Sequence, residues 1–69
     1  MTPLQAIDRA DSVEVVFGLA MVPGEVEIRI TKQEAKRLIR AHKLPFEDVM
    51  HEIGHVRLDG STATIHFHT

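Results

Sequence analysis

The sequence predicts an α+β fold of ββαββ order, in which two antiparallel hairpins form one sheet and one amphipathic helix lies on one face. Three observations predict it. Two alternating apolar runs flank Pro23-Gly24, a capped amphipathic segment spans 31–43, and Asp59-Gly60 divides the tail into two short runs. The chain has 69 residues, which reads as a single domain, 1–69.

The first run, Ser12 to Val22, places Val13, Val15, Phe17, Leu19 and Met21 on one face with the period of two that defines a strand. Its other face carries Val16, Ala20 and Val22 and one charge, Glu14. Pro23-Gly24 suits a type II turn, because proline presets φ and glycine accepts a positive φ at the next position. The second run, Glu25 to Ile30, then alternates Val26, Ile28 and Ile30 inward. Residues 1–11 read as a short lead-in, in which Pro3, Leu4, Ala6 and Ile7 make one helical turn or lie loosely on the core.

Thr31 with Glu34 three residues on forms a capping box, the signature of a helix start. Ala35, Leu38, Ile39 and His42 make one stripe, and Leu44-Pro45 ends the helix. His42 on that stripe is expected to be half-buried. Asp59-Gly60 is a two-residue hairpin signal. Pairing outward from it gives strands at about 51–58 and 62–68, with Leu58 opposite Ser61 and His51 opposite His68. The alternative is a second helix from Pro45 to about Arg57, giving ββααβ; Gly54 in its middle disfavours it by about 1 kcal/mol.

Composition narrows the function. There is no cysteine, so disulfides and cysteine zinc sites are excluded, and a reducing, cytoplasmic location is expected. The longest apolar run, 15–23, falls well short of the roughly 20 residues of a membrane span. The acidic residues Asp8, Asp11 and Glu14 before it are the wrong charge for a signal peptide. No nucleophile with its base, phosphate-cradling glycine loop or cofactor fingerprint is found.

His51-Glu52-Ile53-Gly54-His55 matches H-E-x-x-H, the zincin metalloprotease pattern. That chemistry needs a helix, so that two histidines one turn apart bind zinc from one face. The resemblance covers five residues and is followed by only 14, too few for a third ligand segment and a substrate cleft. We read it as a chance match, in a protein expected not to be an enzyme. In the strand register, His51, His55, His66 and His68 share one face instead. They are the candidate metal ligands, with zinc as the possible ion; a polar solvent-facing hairpin is the alternative.

Lys32, Lys36, Arg37, Arg40 and Lys43 lie on the helix side away from its apolar stripe. Segment 31–43 holds five cations against one carboxylate, while the rest holds three against nine. This segregation marks a docking face for an acidic surface, or simply a solvated helix back. A small regulator or inhibitor that occupies a larger protein, of the sort phages and mobile elements encode, is the expected function. A homodimer is expected from the apolar second face of the first strand. Nucleic acid binding through the basic helix is not favoured, because no tryptophan or tyrosine offers a stacking platform.

Overall fold

The computed structural model describes residues 1–18, 25–48 and 53–68. The order of elements is α1 (Pro3–Arg9), β1 (Ser12–Gly18), β2 (Glu25–Ile30), α2 (Lys32–His42), β3 (Gly54–Asp59) and β4 (Thr62–Phe67). The class is α+β with a four-stranded sheet, as expected. The order is αββαββ, not ββαββ, because the lead-in is a helix. The predicted extension of β1 to Val22 and the Pro23-Gly24 turn lie outside the described residues.

Local chemistry accounts for α1. Thr2 caps it, accepting from the Gln5 backbone N–H at 3.1 Å while the Gln5 side chain accepts from the Thr2 N–H at 2.9 Å. Pro3 occupies the first turn, where its missing N–H costs nothing. Ala6 and Ile7 are fully buried, and Ala10 closes the helix by donating to the Ala6 carbonyl. The chain then turns into β1, with Asp11 donating its N–H to the Ser61 carbonyl at 2.7 Å.

The sheet order is β2-β1-β4-β3. Both hairpin pairs are antiparallel, but the central β1 and β4 run parallel, with Val13 beside Ala63 and Val15 beside Ile65. The expected all-antiparallel sheet is therefore a mixed one. Both helices cover the same face. Ala6, Ile7, Ala35 and Ile39 pack there against Val13, Val15, Val56, Ala63 and Ile65. The amino-terminal segment thus roofs the helix side, not the apolar second face of β1. On that second face Val16 is nonetheless buried.

α2 follows its expected boundaries. Thr31 accepts from the Glu34 N–H at 3.1 Å, and Glu34 accepts from the Thr31 N–H at 3.2 Å. The Thr31 backbone N–H and, second, the Thr31 hydroxyl hold the exposed Glu34 carboxyl below its usual pKa. Lys43 ends the helix in the left-handed region at φ 52°, donating its N–H to the Ile39 carbonyl. His42 is exposed, not half-buried, because it lies at the rim of the stripe.

The alternative ββααβ is not formed. Val56 donates its N–H to the Pro45 carbonyl at 2.8 Å and Glu47 donates to the Val56 carbonyl at 2.9 Å. Phe46 thereby forms a short parallel bridge with Val56 of β3. The β3–β4 register also differs from expectation by two residues. Asp59 pairs with Thr62 and Leu58 with Ala63, so the loop is Gly60-Ser61. Gly60 has φ +62°, the backbone that glycine supplies at the first position of a type II′ loop.

Candidate functional site

Two surfaces lie on opposite faces of the sheet. The first is an apolar groove between α2 and β2. β2 is an edge strand, and α2 does not reach across it, so Val26 and Ile28 are 46% and 48% exposed. The groove holds about 440 Å³ and is lined by Phe17, Ile28, Ile30, Leu38, His42 and Phe67 over a floor at Val15. Phe17 and Phe67 stack at 5.3 Å between centroids, and His42 meets Phe67 edge-on at 5.5 Å. A second concavity of about 330 Å³ continues past Ile30 and Leu38 to Arg37 and Ala41.

The basic residues divide into two sets. Lys36 pairs with Asp8 at 2.6 Å and Lys32 donates to the Asp8 carbonyl at 3.3 Å, so these two fasten α2 to α1. The hydrogen bond from Lys36 is the main reason the Asp8 carboxyl sits below its usual pKa. Arg37, Arg40 and Lys43 are exposed. Arg37 stands on the continuation of the groove with Glu34, so a cation and a carboxylate both border the apolar surface. The sequence placed these cations on one side of α2 but could not show which of them α1 would use. It also missed the groove, whose signal was the clean Val26-Ile28-Ile30 alternation in a strand that one helix cannot cover.

The second surface is a histidine cluster on the sheet face away from the helices. His55 of β3 stands opposite His66 of β4. His68 donates its backbone N–H to the Ile53 carbonyl at 2.8 Å, which extends the same register. Ile53, not His51, is therefore opposite His68; moving the turn by one residue shifts the pairing by two. His51 and Glu52 lie outside the described residues. Gly54 and His55 are in a strand, so this part of the H-E-x-x-H sequence lacks the helix the zincin arrangement requires.

The rings of His55 and His66 are 5.3 Å apart, those of His55 and His68 5.1 Å, and those of His66 and His68 6.3 Å. His55 Nδ1 and His68 Nε2 approach to 3.1 Å, a hydrogen bond whose direction depends on tautomer. One ring nitrogen from each of the three lies within 4.8 Å of the others. His55 is half-buried, and its pKa is lowered first by desolvation and then by the nearby His66 and His68. Arg57 lowers it further, while Glu47, which pairs with Arg57 at 3.5 Å, opposes the shift. A cleft of about 170 Å³, lined by Val16, Arg57, Asp59 and Thr64 together with His55 and His66, adjoins the cluster.

Among the described residues, no helix is long and apolar enough to cross a membrane. No known protein family matches the chain, and no curated protein or solved structure resembles it significantly, so the functional reading rests on these two surfaces.

Proposed function

We propose that the protein is a small non-enzymatic binding domain that regulates or inhibits a larger protein by capturing an extended, acidic segment of it along β2. The observation that carries this reading is the apolar groove beside the β2 edge, with Arg37 on its continuation. An edge strand offers main-chain donors and acceptors in a row, and an added strand uses them for affinity. Every second side chain of that strand would enter the groove, and carboxylates in that same series, at the end near Ile30, would meet Arg37. The described phenylalanines favour a protein over a nucleic acid as ligand. Phe17 and Phe67 stack on each other within the apolar groove and Phe46 is half-buried beside β3, so no described phenylalanine lines the concavity that holds Arg37.

The test is selection from a displayed library of random peptides, with affinities of the selected peptides measured against variants. The expected winners carry apolar residues at every second position, with Asp or Glu in that same series at one end. Their affinity falls at least about tenfold on Ile28→Lys and on Arg37→Glu, each about 1.4 kcal/mol or more. Peptides without that pattern, or equal binding to wild type and Ile28→Lys, would overturn the reading. So would tight DNA or RNA binding with a steep salt dependence that is lost on Arg37→Glu.

A feature of β2 itself favours a second reading, in which another copy of the chain occupies the same edge. Two antiparallel β2 strands centred on Ile28 would place Glu27 opposite Arg29 of the second copy, twice, and Val26 opposite Ile30, twice. Cross-strand pairs of opposite charge and of apolar residues are the favourable ones. Arg29 already lies 3.7 Å from Glu14, so the additional carboxylate would extend an existing pair. Sedimentation at high micromolar concentration should show a dimer that Ile28→Lys dissociates. A wild-type monomer would rule out this second reading.

A further inference from the structure

We propose that His55, His66 and His68 form a Zn²⁺ site on the open face of the sheet. The site is independent of the docking reading and lies on the other side of the molecule, so either can fail without the other.

The three histidines meet because of register. In an antiparallel ladder, facing residues on one side bring their Cβ atoms to about 4.5–5.5 Å, and a residue two further along the same strand remains on the same side. His55 faces His66, and His68 is the next residue on that side of β4. The backbone hydrogen bond from His68 to Ile53 holds the end of the strand in this register. Three imidazoles from two adjacent strands are thus presented together by main-chain pairing.

The distances suit a small ion. Zinc bonds imidazole nitrogen at about 2.0–2.1 Å, so two nitrogens in a tetrahedral site are separated by about 3.3 Å. His55 Nδ1 and His68 Nε2 already stand at 3.1 Å, and all three ligand nitrogens fall within 4.8 Å. The third nitrogen, that of His66, would move inward by about 1–1.5 Å to reach that separation.

The donor set points to a late first-row ion. Imidazole suits Zn²⁺, Cu²⁺ and Ni²⁺, whereas Mg²⁺ and Ca²⁺ require oxygen ligands. Coordination needs neutral imidazole, so affinity should weaken in acid. The ion would replace the His55–His68 hydrogen bond and relieve the crowding of three like groups. Three protein ligands would leave a fourth position for water. A bound ion would clamp β3 to β4 at the end of the hairpin remote from its turn.

The experiment is titration of chelator-treated protein with ZnCl₂, followed by calorimetry and by thermal melting. The expected result is binding of one ion per chain. At a free concentration one hundred times Kd, Tm should rise by about 10–20 °C. Affinity should fall at least about tenfold in each of His55→Ala, His66→Ala and His68→Ala, and remain unchanged in His42→Ala, which removes a histidine from the opposite face. His68→Ala keeps the test meaningful if substitutions within the ladder weaken folding, because His68 is exposed beyond the end of β4. Co²⁺ should give the visible absorption of a tetrahedral site, lost in the same three variants. No Tm change with excess Zn²⁺, or a change that survives His66→Ala and His68→Ala, would overturn the proposal.

Discussion

Gly54 abuts the main-chain carbonyl of His66 so closely that a Cβ at position 54 has no room. The next atoms it would meet, the His66 carbonyl carbon and Phe67 Cα, lie at 3.1 and 3.2 Å and are also backbone. Backbone cannot rotate aside as a side chain can, so β3 would have to leave β4. Gly54→Ala should therefore cost at least about 2 kcal/mol, a large part of the stability of a domain this small. Gly18→Ala, with nothing near its added Cβ, should change stability little. Urea denaturation of the two variants checks the contrast.

The covered and uncovered parts of the helix face of the sheet should respond differently. Ile65 is fully buried under the helices, and Ile65→Ala should cost about 2–5 kcal/mol through lost burial and a residual cavity. Ile28 is 48% exposed at the groove, so Ile28→Lys should stay within about 0.5 kcal/mol of wild type while removing the proposed strand capture. Equal losses in the two variants would show that Ile28 is part of the core. Thermal melting at low protein concentration separates the cases.

Lys43 adopts a left-handed backbone at φ 52°, where a side chain is disfavoured and glycine is not. Lys43→Gly should raise stability by up to about 1 kcal/mol, read as a higher urea midpoint with unchanged slope. A loss of stability would mean that the Lys43 side chain contributes more than its backbone strain costs.

Stability of the metal-free protein should depend on His55 in mildly acidic solution. Its folded pKa lies below the unfolded value of about 6.5, so the unfolded chain binds the proton more readily. The stabilisation is complete above that value and is lost as pH falls towards the folded pKa. Melting in the presence of chelator should show a Tm drop below about pH 6.5 that is reduced in His55→Gln. Asp8 is also lowered by Lys36, so its own contribution fades at a more acidic pH, in the carboxylate range. A Tm independent of pH between 5 and 7 would contradict the assigned shift.

Much of the fold was legible because its signals are local. Alternation identified β1 and β2, and Thr31 with Glu34 marked the start of α2. The same capping chemistry was present at Thr2 and Gln5, with Pro3 between them, but seven residues carry too little periodicity to announce α1. The parallel pairing of β1 with β4 has no local signal at all. The turn was misplaced because Asp-Gly and Gly-Ser both suit two-residue loops. A slip of two residues leaves every side chain on its original face, whereas a slip of one would reverse them all. That parity is why His55, His66 and His68 still share a face, although the predicted opposition of His51 and His68 is gone. The exposed groove depended on how far α2 reaches across the sheet, which no residue pattern reports.

The side-by-side placement of Ser12 and Thr62, fifty residues apart, also governs how the chain reaches this state. Each antiparallel hairpin closes a short loop and can form within microseconds. The two halves must then find each other through the parallel seam, whose closure brings a large entropic cost before any contact offsets it. Folding should be limited by that docking step. A chain cut in the segment after Asp48 would turn the step into a bimolecular one, with the β3–β4 hairpin recruited onto the β1 edge of its complementary fragment.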